Sequence, residues 1–135
     1  MKISGKVAAV VALAATMAAS PAQACWTNAE RDAAQVANLN MMMMVTALRC
    51  RKGSDNFLAE YNRFVKSNNP VLGAQNAAVR SHFVRLNGPK GADSAMDKYV
   101  ISLANSYGSG HDSKGCGQLK EIAGQLANKK HTAAS

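Results

Sequence analysis

Residues 27–53 read TNAERDAAQVANLNMMMMVTALRCRKG, and this stretch decides the fold. Thr27-Asn28-Ala29-Glu30 has the form of a capping box. The Thr27 hydroxyl can accept the N–H of Glu30 while the Glu30 carboxylate accepts the N–H of Thr27. Asp32 adds negative charge to the first turn, where the helix dipole favours it. Apolar residues follow at Ala33, Val36, Ala37, Met43, Met44, Ala47 and Leu48, the spacing of one helical face. Arg49, Arg51 and Lys52 suit a last turn, and Gly53 can supply a left-handed cap. The stretch predicts a helix over about 28–52.

The same pattern continues downstream. Ser54 or Asp55 can cap a second helix carrying a stripe of Phe57, Leu58, Tyr61, Phe64 and Val65. Asn68-Asn69-Pro70 reads as its end, with Asn69 capping a third helix and Pro70 at its first position. Val71, Leu72, Ala78, Val79, Phe83 and Leu86 line that third helix, and Gly88-Pro89 stops it. A fourth runs from about Asp93 to Tyr107. A glycine-rich loop over 108–117 leads to a shorter fifth, from about Gln118 to Asn128. No stretch alternates like a strand. The expected fold is all-α, a small antiparallel bundle of about five amphipathic helices closed by a disulfide.

Upstream, the chain begins like an address. Lys2 and Lys6 precede an apolar run from Val7 to Ala15, and Ser20-Pro21 breaks any helix. Ala22-Gln23-Ala24 places small residues where a signal peptidase needs them. The run is shorter than the roughly 20 residues that span a bilayer. Residues 1–24 therefore read as a secretory signal cleaved between Ala24 and Cys25. Residues 25–128 read as one helical domain and 129–135 as a flexible tail. The expected location is the periplasm, with lipid attachment through Cys25 as the alternative. The mature chain carries no expected transmembrane segment.

The chain has 135 residues, 16 Lys+Arg and 8 Asp+Glu, a formal charge of +8. Removing Lys2 and Lys6 with the leader lowers this to +6. The length excludes a two-domain enzyme. The charge favours anionic partners, which outside the cytosol are envelope components rather than nucleic acid.

Three cysteines in an exported chain imply one bridge and one cysteine left over. Cys25 and Cys50 lie at opposite ends of the first helix, on the order of 35 Å apart, too far for a disulfide. Cys116 must then be a partner. Up-down parity after four helices favours Cys25–Cys116, and Cys50–Cys116 is the alternative. Arg49 and Arg51 flank Cys50 and could activate a thiol there, although its helical position is that of a buried core cysteine.

Met41-Met42-Met43-Met44 is compositionally unusual. Thioethers bind Cu(I), and Met41 and Met44 share a helix face. Adaptable core packing is the simpler reading. Covalent haem is excluded in its common form because Cys-x-x-Cys-His is absent. Non-covalent haem between a methionine and His82 is the other cofactor alternative. His111 and Cys116 resemble a catalytic pair only by composition, and His111 and His131 lack metal-ligand spacing. No phosphate loop, dinucleotide fingerprint or nucleophile elbow occurs. The residues therefore point to a non-enzymatic binding or structural module with a basic surface. Neither catalytic nor cofactor-binding residues are assigned. A small cell-envelope enzyme is the remaining alternative.

Cys25-Trp26-Thr27-x-Ala29-Glu30, the methionine run into Leu48-Arg49-Cys50-Arg51, and Tyr61-Asn62-Arg63-Phe64 resemble a group of small exported alphaproteobacterial proteins of unknown role. Leu103-Ala104-Asn105-Ser106-Tyr107-Gly108 and Cys116 extend the resemblance over most of the mature chain. It implies export and a helical fold. Some members carry the label S-adenosylhomocysteine hydrolase. That enzyme needs a much larger dinucleotide-binding α/β domain, whose glycines this sequence lacks.

Overall fold

A computed structural model describes residues 25–129. The expected leader over 1–24, its cleavage at Ala24, and all of the tail after Lys129 lie outside the described residues. The described chain is all-α. Helix α1 spans Asn28–Arg49, α2 spans Leu58–Ser106 and α3 spans Cys116–Asn128, with one 3-10 turn at Cys50–Lys52.

Helix α1 starts on the capping box its sequence specifies. The Thr27 hydroxyl accepts the Glu30 N–H at 3.1 Å, and the Glu30 carboxylate accepts the Thr27 N–H at 2.9 Å. Its far end differs from expectation. The last turn tightens, Gly53 donates to the Cys50 carbonyl at 3.1 Å, and Gly53 is extended (φ −99°, ψ 173°) rather than left-handed. The tighter turn satisfies the terminal carbonyl without a left-handed residue. Helix α2 starts at Leu58 behind Phe57, not on Ser54 or Asp55, and the Asn56 side-chain oxygen accepts the Leu58 N–H at 3.0 Å.

Helix α2 is broken at Gly88, where φ is 71° and ψ 168°. That conformation is nearly exclusive to glycine, and it folds the chain back. The rings of Phe83 and Tyr99 lie 5.5 Å apart. An unbroken helix would separate those residues by about 24 Å. Arg80 and Asp93 form an ion pair at 2.9 Å across the same bend. The two arms, 58–87 and 89–106, thus form a hairpin at the Gly88-Pro89 break expected from sequence.

No break occurs at Asn69-Pro70, which merges the second and third expected helices; with α2 counted as one helix through its bend at Gly88, the bundle has three helices rather than five. Phe64, Asn68 and Val71 are all buried on one continuous face that runs through the proline. The Asn68 side chain donates to the Phe64 carbonyl at 3.0 Å and to the Leu126 carbonyl of α3 at 3.4 Å. Pro70 and Lys66, the residue whose carbonyl loses its helical partner, are both exposed. Packing along that face outweighs the local signal to stop.

This single difference inverts the expected disulfide. The first arm of α2 runs antiparallel to α1, with the Tyr61 hydroxyl on Asn40 at 3.2 Å and Arg85 on Glu30. The second arm returns alongside α1, and Arg49 donates to the Gly108 carbonyl. The chain is then at the C-terminal end of α1 when α3 begins. Cys116 bonds Cys50, with Cα atoms 5.8 Å apart. The Cys25–Cys116 pairing favoured by parity required an extra reversal at Pro70 and does not form. Cys50 therefore carries no thiol, and the cysteine outside the bridge is Cys25, exposed at the other end.

The main core sits beside the bridge. Met42, Met43, Ala47, Cys50, Phe57, Leu119 and Ala123 are buried together there. Two of the four consecutive methionines thus serve packing, where unbranched thioethers fill irregular space. Ala33, Val79, His82 and Ala92 are also buried, and the Trp26, Phe83 and Tyr99 rings meet around His82.

Candidate functional site

At the start of α1, four side chains from two elements converge. Glu30 is buried, and the Arg85 guanidinium reaches both of its carboxylate oxygens, one contact being 2.8 Å. The same guanidinium donates to the Cys25 carbonyl at 3.0 Å. His82 Nδ1 lies 3.3 Å from Glu30 Oε2 and 3.3 Å from Arg85 Nη2. Trp26 stacks on the His82 ring with centroids 3.7 Å apart, and meets Phe83 edge-on at 5.9 Å.

This cluster holds the chain entering α1. The Arg85 hydrogen bond drives the Glu30 pKa down to about 2 against the opposing effect of burial, with help from the Thr27 N–H. The same pairing raises that of Arg85. A carboxylate so committed is fully ionised at neutral pH and has no proton to give. The sequence marks Glu30 as a capping residue but not as the anchor of His82 and Arg85. The available signal was the spacing of His82 and Arg85, three residues apart on one helix face. Their partner, about fifty residues earlier, is set only by the hairpin.

The bridge end has a different character. Arg49, His111 and Lys114 line an open cavity of about 220 Å³ together with Cys50 and Cys116. Arg51 and Lys52 are exposed on the adjoining turn. Gly110, at φ 98°, allows the loop to pass close to Arg49. His111 Nδ1 accepts the Ser113 N–H at 3.1 Å, which shapes the loop. Cys116 is in the disulfide, so the composition-level pairing of His111 with a Cys116 thiol has no nucleophile. Arg49 and Lys114 bring positive charge together here, with the Asp55 carboxylate beside Gly117 at the start of α3; the bridge and the Arg49–Gly108 hydrogen bond join the segments.

The residues considered for copper or haem lie in different surroundings. Met41 lines a cavity between α1 and the two arms of α2, and neither Met44 nor His82 lies in that wall. His82 instead has Trp26 against its ring and Glu30 and Arg85 at Nδ1. Among the described residues, no group of three His, Cys, Asp or Glu side chains could hold a metal ion. No described helix is long and apolar enough to cross a membrane. No protein-family model, curated protein or solved structure matches the chain.

Proposed function

We propose that the chain is an exported, non-enzymatic binding module that presents its bridge end to an anionic component of the cell envelope. The observation that carries this reading is the convergence of Arg49, His111 and Lys114 on one open cavity, with Arg51 and Lys52 exposed beside it. Such a patch attracts anions over roughly a Debye length and loses that attraction in salt. Among the described residues, arginine ion pairs are Arg80–Asp93 and Arg85–Glu30, neither of them at this end. The disulfide suits an oxidising compartment, and the resemblance to small exported proteins supports the same location. The buried Glu30 cluster supports a binding rather than a catalytic reading, because its acid is consumed in holding the fold.

Co-sedimentation with vesicles of anionic or zwitterionic lipid, and retention on an anionic polysaccharide, test the proposal. The expected result is retention on anionic material at low salt, release at high salt, and weaker retention of the Arg51→Gln, Lys52→Gln, Lys114→Gln triple variant. Retention that ignores salt, no retention on any anionic surface, or a triple variant that binds as well as the parent would each overturn it.

A further inference from the structure

We infer that the waist of the bundle is a binding site for a small, neutral, largely aliphatic molecule bearing one hydrogen-bonding group. Two cavities flank the seam between α1 and the first arm of α2. One, of about 160 Å³, is closed by the second arm. The other, of about 170 Å³, is closed by α3. Val36, Leu72 and Gln75 belong to both walls, so a single layer of side chains separates the two spaces. Protein interiors are otherwise packed to crystal density. Both spaces are clefts between helices, partly open to solvent, where that packing is incomplete.

The chemistry of the walls selects the ligand. Met41, Val79, Met96 and Leu103 line the first cavity, and Leu39, Phe64 and Leu126 the second. The thioethers of Met41 and Met96 can adjust to an aliphatic chain. The sequence has twice as many cations as anions, yet no Lys, Arg, His, Asp or Glu lines either space. A carboxylate or ammonium placed there would lose its hydration with nothing to replace it. A neutral head group loses far less.

The carboxamides show where that head group sits. Asn40 is engaged by the Tyr61 hydroxyl, and Asn68 by the Phe64 and Leu126 carbonyls. Gln75 faces both cavities and makes no side-chain hydrogen bond among the described residues. Its amide offers one donor pair and one acceptor, which suits an alcohol, ester or amide. Asn76 and Tyr99 also line the first space, and Gln75 is the polar side chain common to both walls. A mainly apolar space with a few polar groups is the general form of a small-ligand site. This site shares no residue with the cationic end, so the two proposals stand or fall separately.

The test uses residues 25–135 and the uncharged fluorescent probe N-phenyl-1-naphthylamine, with decane, decan-1-ol, decanoate and decyltrimethylammonium as competitors. The expected result is saturable probe binding, with decan-1-ol displacing the probe at least about tenfold more effectively than either ion. Leu72→Phe, which fills the shared wall, should abolish probe binding with helical content retained. Gln75→Leu should keep probe binding and shrink the preference for the alcohol over decane. Absence of saturable binding by the parent chain would overturn the proposal. So would equal competition by decanoate, or an unchanged alcohol preference in Gln75→Leu.

Discussion

Arg85 holds both oxygens of the Glu30 carboxylate from 55 positions away, and that same carboxylate caps the first turn of α1. One side chain thus joins a local helix signal to the packing of the hairpin arm. Losing it removes two things at once, the cap and the anchor for the Cys25–Trp26 segment. Thr27→Ala, which removes only part of the cap, should cost about 1 kcal/mol. Glu30→Ala should cost more than Thr27→Ala, read as urea midpoints at neutral pH.

The pH dependence follows from the direction of the Glu30 shift. Its pKa falls from 4.5 to about 2 on folding. Between those values the unfolded chain takes up a proton that the folded chain does not, and protonation favours unfolding. The contribution is fully present above about pH 4.5 and is lost as pH falls toward 2. Urea midpoints measured between pH 6 and pH 2.5 should decline for the parent. Glu30→Gln should start lower and decline less steeply over that range.

Gly88 and Pro70 mark the two places where the chain could turn, and only Gly88 does. Gly88→Ala forces a side chain into φ 71°, ψ 168° and should destabilise by about 1–3 kcal/mol. Pro70→Ala restores a helical hydrogen bond inside a continuous arm and should stabilise, by up to about 3 kcal/mol. Opposite signs for these two substitutions, measured by thermal or urea unfolding, are expected of this topology. Destabilisation by Pro70→Ala would mean that the proline terminates a helix.

The bridge closes a loop between residues 66 positions apart. In the chain-entropy model such a link contributes about 4 kcal/mol. The paired Cys50→Ala, Cys116→Ala variant should lose stability on that scale. Cys25→Ser should leave stability in the absence of reductant nearly unchanged.

The sequence signals that proved reliable are those whose physics is local. The Thr27–Glu30 box needs four residues, and the Gly88-Pro89 bend needs a glycine able to take positive φ. Asn69-Pro70 looked like a comparable stop signal, but its outcome depends on Phe64, Asn68 and Val71 sharing one buried face. The error at Pro70 then propagated through parity to the cysteines. Arg49, Arg51 and Lys52 were visible as a basic cluster. Their association with His111 and Lys114 was not, because it exists only in the folded chain, through the bridge and the Arg49–Gly108 hydrogen bond. The methionine run divides by helical angle, Met42 and Met43 entering the core and Met41 facing the waist cavity.

Peptide mapping of the protein under non-reducing conditions tests the fold most directly, because the cysteine pairing reports how many times the chain reverses. The account predicts a cross-linked pair of peptides containing Cys50 and Cys116, with Cys25 in neither. A Cys25–Cys116 link would contradict it, since that link requires the chain to turn at Pro70.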